Sequence, residues 1–323
     1  MRRTIGRMLL ALLACTAAAS IQAQETFPSR PIKIIVPQPP GASSDTITRM
    51  IADELRRKLG QPVVVENRPG ATGRIGMALL AKAAPDGYTI GVGTEATHVS
   101  GPIMMKTRPY DPVKDFTPLT LAIKTSMVIA VNPAVLPVRS LNELIERSKQ
   151  LPNGISYATP GLGSPQHLLG EMIKMRTGAR LTPVPYAGGA PAVTDLLAGH
   201  TPMAILTAPT LAAHASRINL IAVADDVRSP YLPNVPTISE AIAGFSVSGW
   251  SAFFGPAGLP PAIAATLSQS LAEILRSPPL IAAMRTEMMI PGGTTAAELE
   301  SAIQSGLERG RALVAAGAVT PTD

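Results

Sequence analysis

Apolar positions along this chain recur at two alternating spacings. Ile32 to Val36 is a short, almost continuous apolar run, the pattern of a strand buried on both faces. From Thr46 onward, Ile47, Met50, Ile51 and Leu55 fall three and four apart, which is one face of a helix. Strand-like Val63 to Val65 follows, then a loop, a helix through Met77, Leu80 and Ala81, and a strand at Thr89 to Val92. Met127 to Val131, Ile155 to Ala158, Leu181 to Val184, Met203 to Leu206 and Leu220 to Val223 continue the strand series, with helical spacing between most of them. Such alternation predicts an α/β fold with mainly parallel sheets.

Three strand-to-helix connections carry candidate chemistry. Pro37 to Asp45 ends in Ser43, Ser44 and Asp45, where a serine can cap the following helix. In Asn67 to Gly76, the glycines let backbone amides approach a ligand closely, and successive amides can form an anion-binding concavity. The third, Thr159 to His167, sets Ser164 before Pro165: a capping hydroxyl, then proline at the first helical position. A Gly/Ser turn before a helix is by itself commonly only a turn. Together the three place helix N-termini at the carboxyl ends of parallel strands, where α/β sheets bind ligands and anions are favoured. The joint expectation is a carboxylate-sized anion site.

The amino-terminal segment departs from this pattern. Arg2, Arg3 and Arg7 precede an apolar stretch from Met8 to Ala19, and the chain turns polar at Ser20 to Gln24. That is the layout of a secretory signal, too short for a lasting membrane anchor. Residues 1–23 are expected to be removed after Ala23, giving a periplasmic protein. Leu12-Leu13-Ala14-Cys15 also matches a lipoprotein box, an alternative that changes only the tether. Cys15 is the only cysteine, so the mature chain offers neither disulfides nor thiolate chemistry. Three of the 28 basic residues lie in the leader, leaving 25 against 22 acidic ones. Without a Lys/Arg-rich run, that small surplus excludes a nucleic-acid footprint.

Catalytic motifs are weak. Ser164 and His167 lie three apart on a helix start, but there is no Gly-x-Ser-x-Gly elbow and no acid obviously placed to orient His167. Gly91-Val92-Gly93-Thr94-Glu95-Ala96 resembles a shortened dinucleotide fingerprint, yet Glu95 would face the phosphates. His98, His167, His200 and His214 lack metal-ligand spacing, so neither metal nor cofactor is expected. Ser140 with Glu143 and Thr295 with Glu298 read as capping boxes.

Longer segments resemble a known family. Pro28-Ser29-Arg30-Pro31-Ile32, the loop Pro37 to Asp45 and the run Gly60 to Ala71 (Gly-Gln-Pro-Val-Val-Val-Glu-Asn-Arg-Pro-Gly-Ala) are similar to motifs of the tripartite tricarboxylate transporter solute receptors, or Bug family. Ala83 to Thr89, Tyr110 to Phe116, Ser156-Tyr157-Ala158, Gly163-Ser164 with His167, and Val184-Pro185-Tyr186 match in order. So do Pro191 to Leu197, Arg228-Ser229-Pro230 and Pro233 to Thr237.

The resemblance implies a two-lobed periplasmic-binding-protein fold of type II, a Venus flytrap with two crossing strands. The crossings are expected at Met127 to Val131 and Val247 to Phe254, with residues 24–126 and 250–323 in one lobe and 127–249 in the other. It further implies a monomeric, non-enzymatic receptor that delivers a small organic anion, a mono- or dicarboxylate, to membrane permease subunits. A receptor reporting to a sensor kinase is the alternative, and a serine esterase using Ser164 a distant one. The implied ligand contacts are Ser43, Ser44, Asp45, Ala71, Thr72, Gly73, Thr94, Ser164 and His167, with Tyr186, Gly188 and Gly189 at the rim. The chain departs from the family pattern at Gln38, which stands for a phenylalanine, and at Ala42 and Thr72, which stand for glycines. Arg74 replaces a small or polar residue, as a second carboxylate clamp or a solvated arginine. Ile205-Leu206 replaces Phe-Asp, which removes an acid suited to a ligand ammonium group.

Overall fold

The computed structural model describes residues 27–40, 43–225, 227–245, 247 and 249–321. The expected leader, its Cys15 box and Ala42 lie outside the described residues. In chain order come β1 (Ile32–Val36), α1 (Ser43–Leu59), β2 (Val63–Asn67), a 3-10 turn (Ala71–Gly73), α2 (Arg74–Ala81) and β3 (Thr89–Thr94). A wide helical turn of π type (Ala96–Ser100) runs into a short helix (Gly101–Ile103), followed by β4 (Phe116–Thr125) and β5 (Met127–Val131). The middle of the chain supplies α3 (Leu141–Gln150), β6 (Ile155–Thr159), α4 (Pro165–Thr177), β7 (Leu181–Pro185), α5 (Gly189–Ala198) and β8 (Met203–Thr207). Then follow α6 (Ala208–Ala212), β9 (Asn219–Val223), α7 (Ile238–Ala241), β10 (Gly249–Pro256), α8 (Pro261–Leu275), α9 (Pro278–Thr286), β11 (Ile290–Pro291) and α10 (Ala296–Ala315).

The strands form two sheets, ordered β11-β4-β10-β3-β1-β2 and β7-β6-β8-β5-β9. β1 pairs in parallel with β2 and β3, and β6 with β7 and β8, as the alternation predicted. Both sheets are nevertheless mixed. β10 lies antiparallel between β3 and β4, β11 is antiparallel to β4, and β5 is antiparallel to β8 and β9. The reversals at β5 and β10 share one cause: these are the strands by which the chain enters the second sheet and returns to the first, so each runs against its neighbours.

Period-two packing is clearest in β5. Met127, Ile129 and Val131 enter one core cluster with α3, α4 and Phe245, while Val128 and Ala130 enter another beneath α5 and α6. All five are fully buried, and a buried Val, Ile or Met side chain contributes roughly 1.5–3 kcal/mol. In the first sheet, Phe253 faces α1 and α8, whereas Ala252 and Phe254 face α2 and α10. β4 was not foreseen from hydropathy, because Thr117, Pro118 and Thr120 interrupt its apolar run. Pro118 is tolerated where the ladder with β10 is irregular between Phe253 and Phe254.

Chain crossing occurs at Ser126, which is fully buried between β4 and β5. Its hydroxyl donates to the Asp225 carboxylate, and its carbonyl accepts from Ala208 N–H at 2.9 Å. A separate apolar contact joins the two halves at their flank, where Leu313 and Val319 pack on Leu168 of α4. Among the described residues no helix is long and apolar enough to cross a membrane.

Candidate functional site

A cavity of about 390 Å³ lies between the two sheets. Its walls are the starts of helical segments and the ends of the crossing strands. Gln38 and Ser44 come from the first loop and α1, Thr72 from the 3-10 turn, and Thr94 with Ala96 from the end of β3. Facing them are Pro160, Ser164 and Gln166 around the start of α4, and Thr207 with Pro209 at the start of α6. Thr125, Met127, Trp250 and Ser251 form the back, where β4 passes into β5 and β10 begins. First-turn N–H groups of helices have no intrahelical acceptors, so these starts favour an anion.

Local geometry explains each wall. Ser44 Oγ donates to Gln38 Oε1 at 2.8 Å, tying the first loop to the start of α1. Gly73 adopts φ 90°, and a Cβ there would stand 2.8 Å from Thr97 Cγ2, so only glycine fits. Thr72 sits at φ 57° in the left-handed region, where a β-branched residue is strained; this is why a glycine is the easier occupant. Ser164 caps α4, its Oγ accepting from His167 N–H at 3.2 Å and lying 3.0 Å from Thr159 Oγ1. When Thr159 donates in that pair, the Ser164 proton is free for a ligand oxygen. At the cavity edge Thr94 is engaged by Thr97: its N–H donates to Thr97 Oγ1 at 2.8 Å, its Oγ1 accepts from Thr97 N–H at 3.3 Å, and its carbonyl accepts from Thr97 Oγ1 at 3.1 Å.

Beyond Thr72 lies a second cavity of about 430 Å³, walled by Arg74, Gly163, His167 and Lys174 and closed by Val319 and Thr320. Arg74 Nε donates to Ala71 O at 2.8 Å, an intraloop bond that needs no ligand. His167 lies in this second cavity and not in the first. Its Nδ1 accepts from Gly163 N–H at 3.1 Å, and its Nε2 stands 3.9 Å from Glu171 Oε1. Burial holds its pKa below the ordinary histidine value, against the pull of the Glu171 charge. Neither ring nitrogen bonds the Ser164 hydroxyl, so the two residues form a helix cap and not a nucleophile–base pair.

Several expected contacts are placed elsewhere. Asp45 is buried in the first turn of α1, accepting from Asn67 Nδ2 at 2.8 Å and from Arg49 Nε at 3.0 Å, and is outside the lining of both cavities. Ala71 carries φ 47° and supports the turn. Ser43 opens α1, and its side chain is outside the described residues. Tyr186 donates to Asp195 Oδ2 at 2.7 Å, Gly188 caps α5, and Gly189 lets Thr210 approach α5; none of the three lines either cavity. Leu206 points into the core with Val128 and Ala204, so an acid at that position would not reach this cavity.

The cavity does contain an acid, one outside the expected contacts. Glu95 lines it and is only 8 % exposed, with Oε2 sealed from solvent and without a hydrogen-bond partner. Burial is the largest influence on its carboxyl, pushing the pKa up to about 7 against the opposing pull of Ser100 and Arg309. Thr125, Met127, Gly249 and Trp250 were also missed. Their signal was position: Met127, Gly249 and Trp250 lie within the two expected crossings and Thr125 just before the first, and crossings must border any interlobe space.

Comparison with known proteins agrees with this geometry. Residues 47–318 match the model of the tripartite tricarboxylate transporter family receptor. Protein BugT of Bordetella pertussis is 37% identical over 283 residues, covering 86% of each chain. Rhodopseudomonas palustris Rpa4515, solved with adipate, superposes with TM-score 0.81 at 31% identity, over 92% of this chain and 100% of its own. MatC of the same organism, with bound malate, gives TM-score 0.76 at 27% identity, over 89% and 100%. Motifs, two-sheet architecture and interlobe cavity therefore converge, and the chain belongs to the tripartite tricarboxylate transporter receptor family.

Proposed function

We propose that this chain is a periplasmic, non-enzymatic receptor that closes over a small mono- or dicarboxylate and presents it to the permease subunits of a tripartite-type transporter. The observation that carries the reading is the cavity between the sheets: hydroxyl groups and helix starts from both halves converge on one carboxylate-sized space. The adipate and malate in the related structures are of the same chemical class. In this reading the lobes are residues 24–126 with 250–323, and 127–249. Residues 1–23 are the export signal, and the receptor works as a monomer. Gln38, Ser44, Thr72, Thr94 and Ser164 serve as primary contacts, and Arg74 and His167 act from the adjoining cavity.

The test is a thermal-shift and calorimetric screen of monocarboxylates, dicarboxylates, amino acids and sugars, with scattering to follow compaction. A ligand that binds only the folded, closed protein raises stability with the logarithm of its concentration. Carboxylates are expected to give titrating shifts and compaction. A protein that responds to sugars or amino acids and to no simple acid refutes the assignment.

A further inference from the structure

The buried acid conflicts with an anion site unless a proton resolves the conflict. Glu95 is the one residue with an ionisable carboxyl, histidine, lysine or arginine side chain among the described residues lining the 390 Å³ cavity. It is almost completely buried, and Oε2 lacks a partner. Ser100 Oγ, buried on the same wide turn, lies close enough to draw the Glu95 carboxyl's pKa down, but its pull does not offset burial. Among the described residues no carboxylate–cation pair neutralises Glu95. Arg309 of α10 acts on it from a distance, while its guanidinium donates to Ser305 Oγ at 2.7 Å. On the same turn, His98 is buried, stacked on Phe254 and held neutral by burial, so it supplies no positive charge. From the second lobe, His167 lies in the adjoining cavity and is also held towards its neutral form. β4 and β10 bring Thr125, Trp250 and Ser251 to the cavity, none of them charged.

Two like charges cannot share such a space without large cost, whereas a neutral acid can donate to a carboxylate in a short, strong bond. We propose that Glu95 enters the complex as a neutral carboxylic acid whose O–H donates to the bound anion, so that binding above neutral pH takes up one proton per anion. The inference rests on the proposed anion-receptor function and adds to it a specificity residue. Glu95 rejects fully charged surroundings and selects ligands that accept a hydrogen bond at that wall. It also makes affinity depend on the acidity of the periplasm. The elevated pKa of the unliganded carboxyl, about 7, means that little pH change is needed to populate the donor form.

The experiment is calorimetry of the wild-type protein with adipate and malate as probes, across neutral to alkaline pH, in buffers of different ionisation enthalpy. Uptake of close to one proton is expected on the alkaline side, with affinity falling toward tenfold per pH unit there. Glu95→Gln keeps an N–H donor and cannot titrate, so its affinity should be level over the same range. Wild-type binding that is independent of pH and buffer overturns the proposal, as does a pH dependence that survives in E95Q. Tighter binding of an amino acid that weakens on acidification would show Glu95 acting as an ionised acceptor, which also overturns it. If neither probe nor any other organic acid binds at any pH, the receptor reading itself fails; that outcome is distinct from pH-independent binding. Proton uptake is read on the wild-type protein, so the result does not depend on how well the variant folds.

Discussion

Glu95→Gln should stabilise the unliganded protein at alkaline pH and leave it nearly unchanged in mild acid. In the folded chain the carboxyl titrates at about 7, and in the unfolded chain near its ordinary value of 4.5. The folded state therefore binds the extra proton between those values, and stability falls as pH rises through the window. At about 1.4 kcal/mol per pKa unit, the full difference amounts to about 3 kcal/mol, complete once pH exceeds 7. The wild-type profile alone would hide this. His98 has the opposite linkage: its folded pKa is lowered to about 3 from 6.5, so stability is lost as pH falls below the ordinary histidine value. The two slopes nearly cancel between pH 4.5 and 6.5. Denaturant unfolding of wild type and E95Q at matched pH isolates Glu95, because His98 is common to both. The expected difference grows from near zero at mildly acidic pH to a plateau above neutrality. A difference that is constant with pH would mean that Glu95 titrates alike folded and unfolded, and burial would not be its controlling influence.

Three further outcomes follow from the same geometry. Ser164→Ala removes both the α4 cap and a cavity hydroxyl: stability should fall by about 1 kcal/mol in chemical unfolding, and carboxylate affinity by about 1.5–3 kcal/mol in calorimetry. Loss of stability with affinity intact would confine Ser164 to capping. Arg74→Gln should weaken dicarboxylates a few-fold, within about 1 kcal/mol for a partly exposed cation, and leave monocarboxylates alone; unchanged affinity for both classes would place Arg74 outside the ligand's reach, and equal losses would place it on the carboxylate they share. His98→Phe keeps an aromatic ring against Phe254 but cannot titrate, so it should gain stability on acidification from pH 6.5 to 4.5, where the wild type is nearly level, in pH-resolved unfolding.

Much of the molecule was legible before any coordinates, for definite reasons. β1, β5, β6 and β8 are short apolar runs because they are buried on both faces, and burial of that kind leaves its mark directly on residue order. The α4 start was equally plain, since Ser164 and Pro165 satisfy a purely local demand of a helix terminus. Such features depend on neighbours in the chain. Thr72, Ser44 and Ser164 could be named as wall residues for the same reason: each sits in a strand-to-helix turn, and α/β sheets gather those turns at one end. Strand direction at β10 and β11, by contrast, depends on where the returning chain finds an open edge, and hydropathy is blind to that. Side-chain direction within the loops was blind as well. Asp45 turns inward because Asn67 and Arg49, 22 residues and four residues away, capture its carboxylate. Leu206 turns to the core while Thr207 meets the cavity, the consequence of one step along a strand of period two. Glu95 is the sharpest case: residue order shows a polar side chain after a strand, and only the tertiary structure makes it a buried acid lining the cavity between the two sheets.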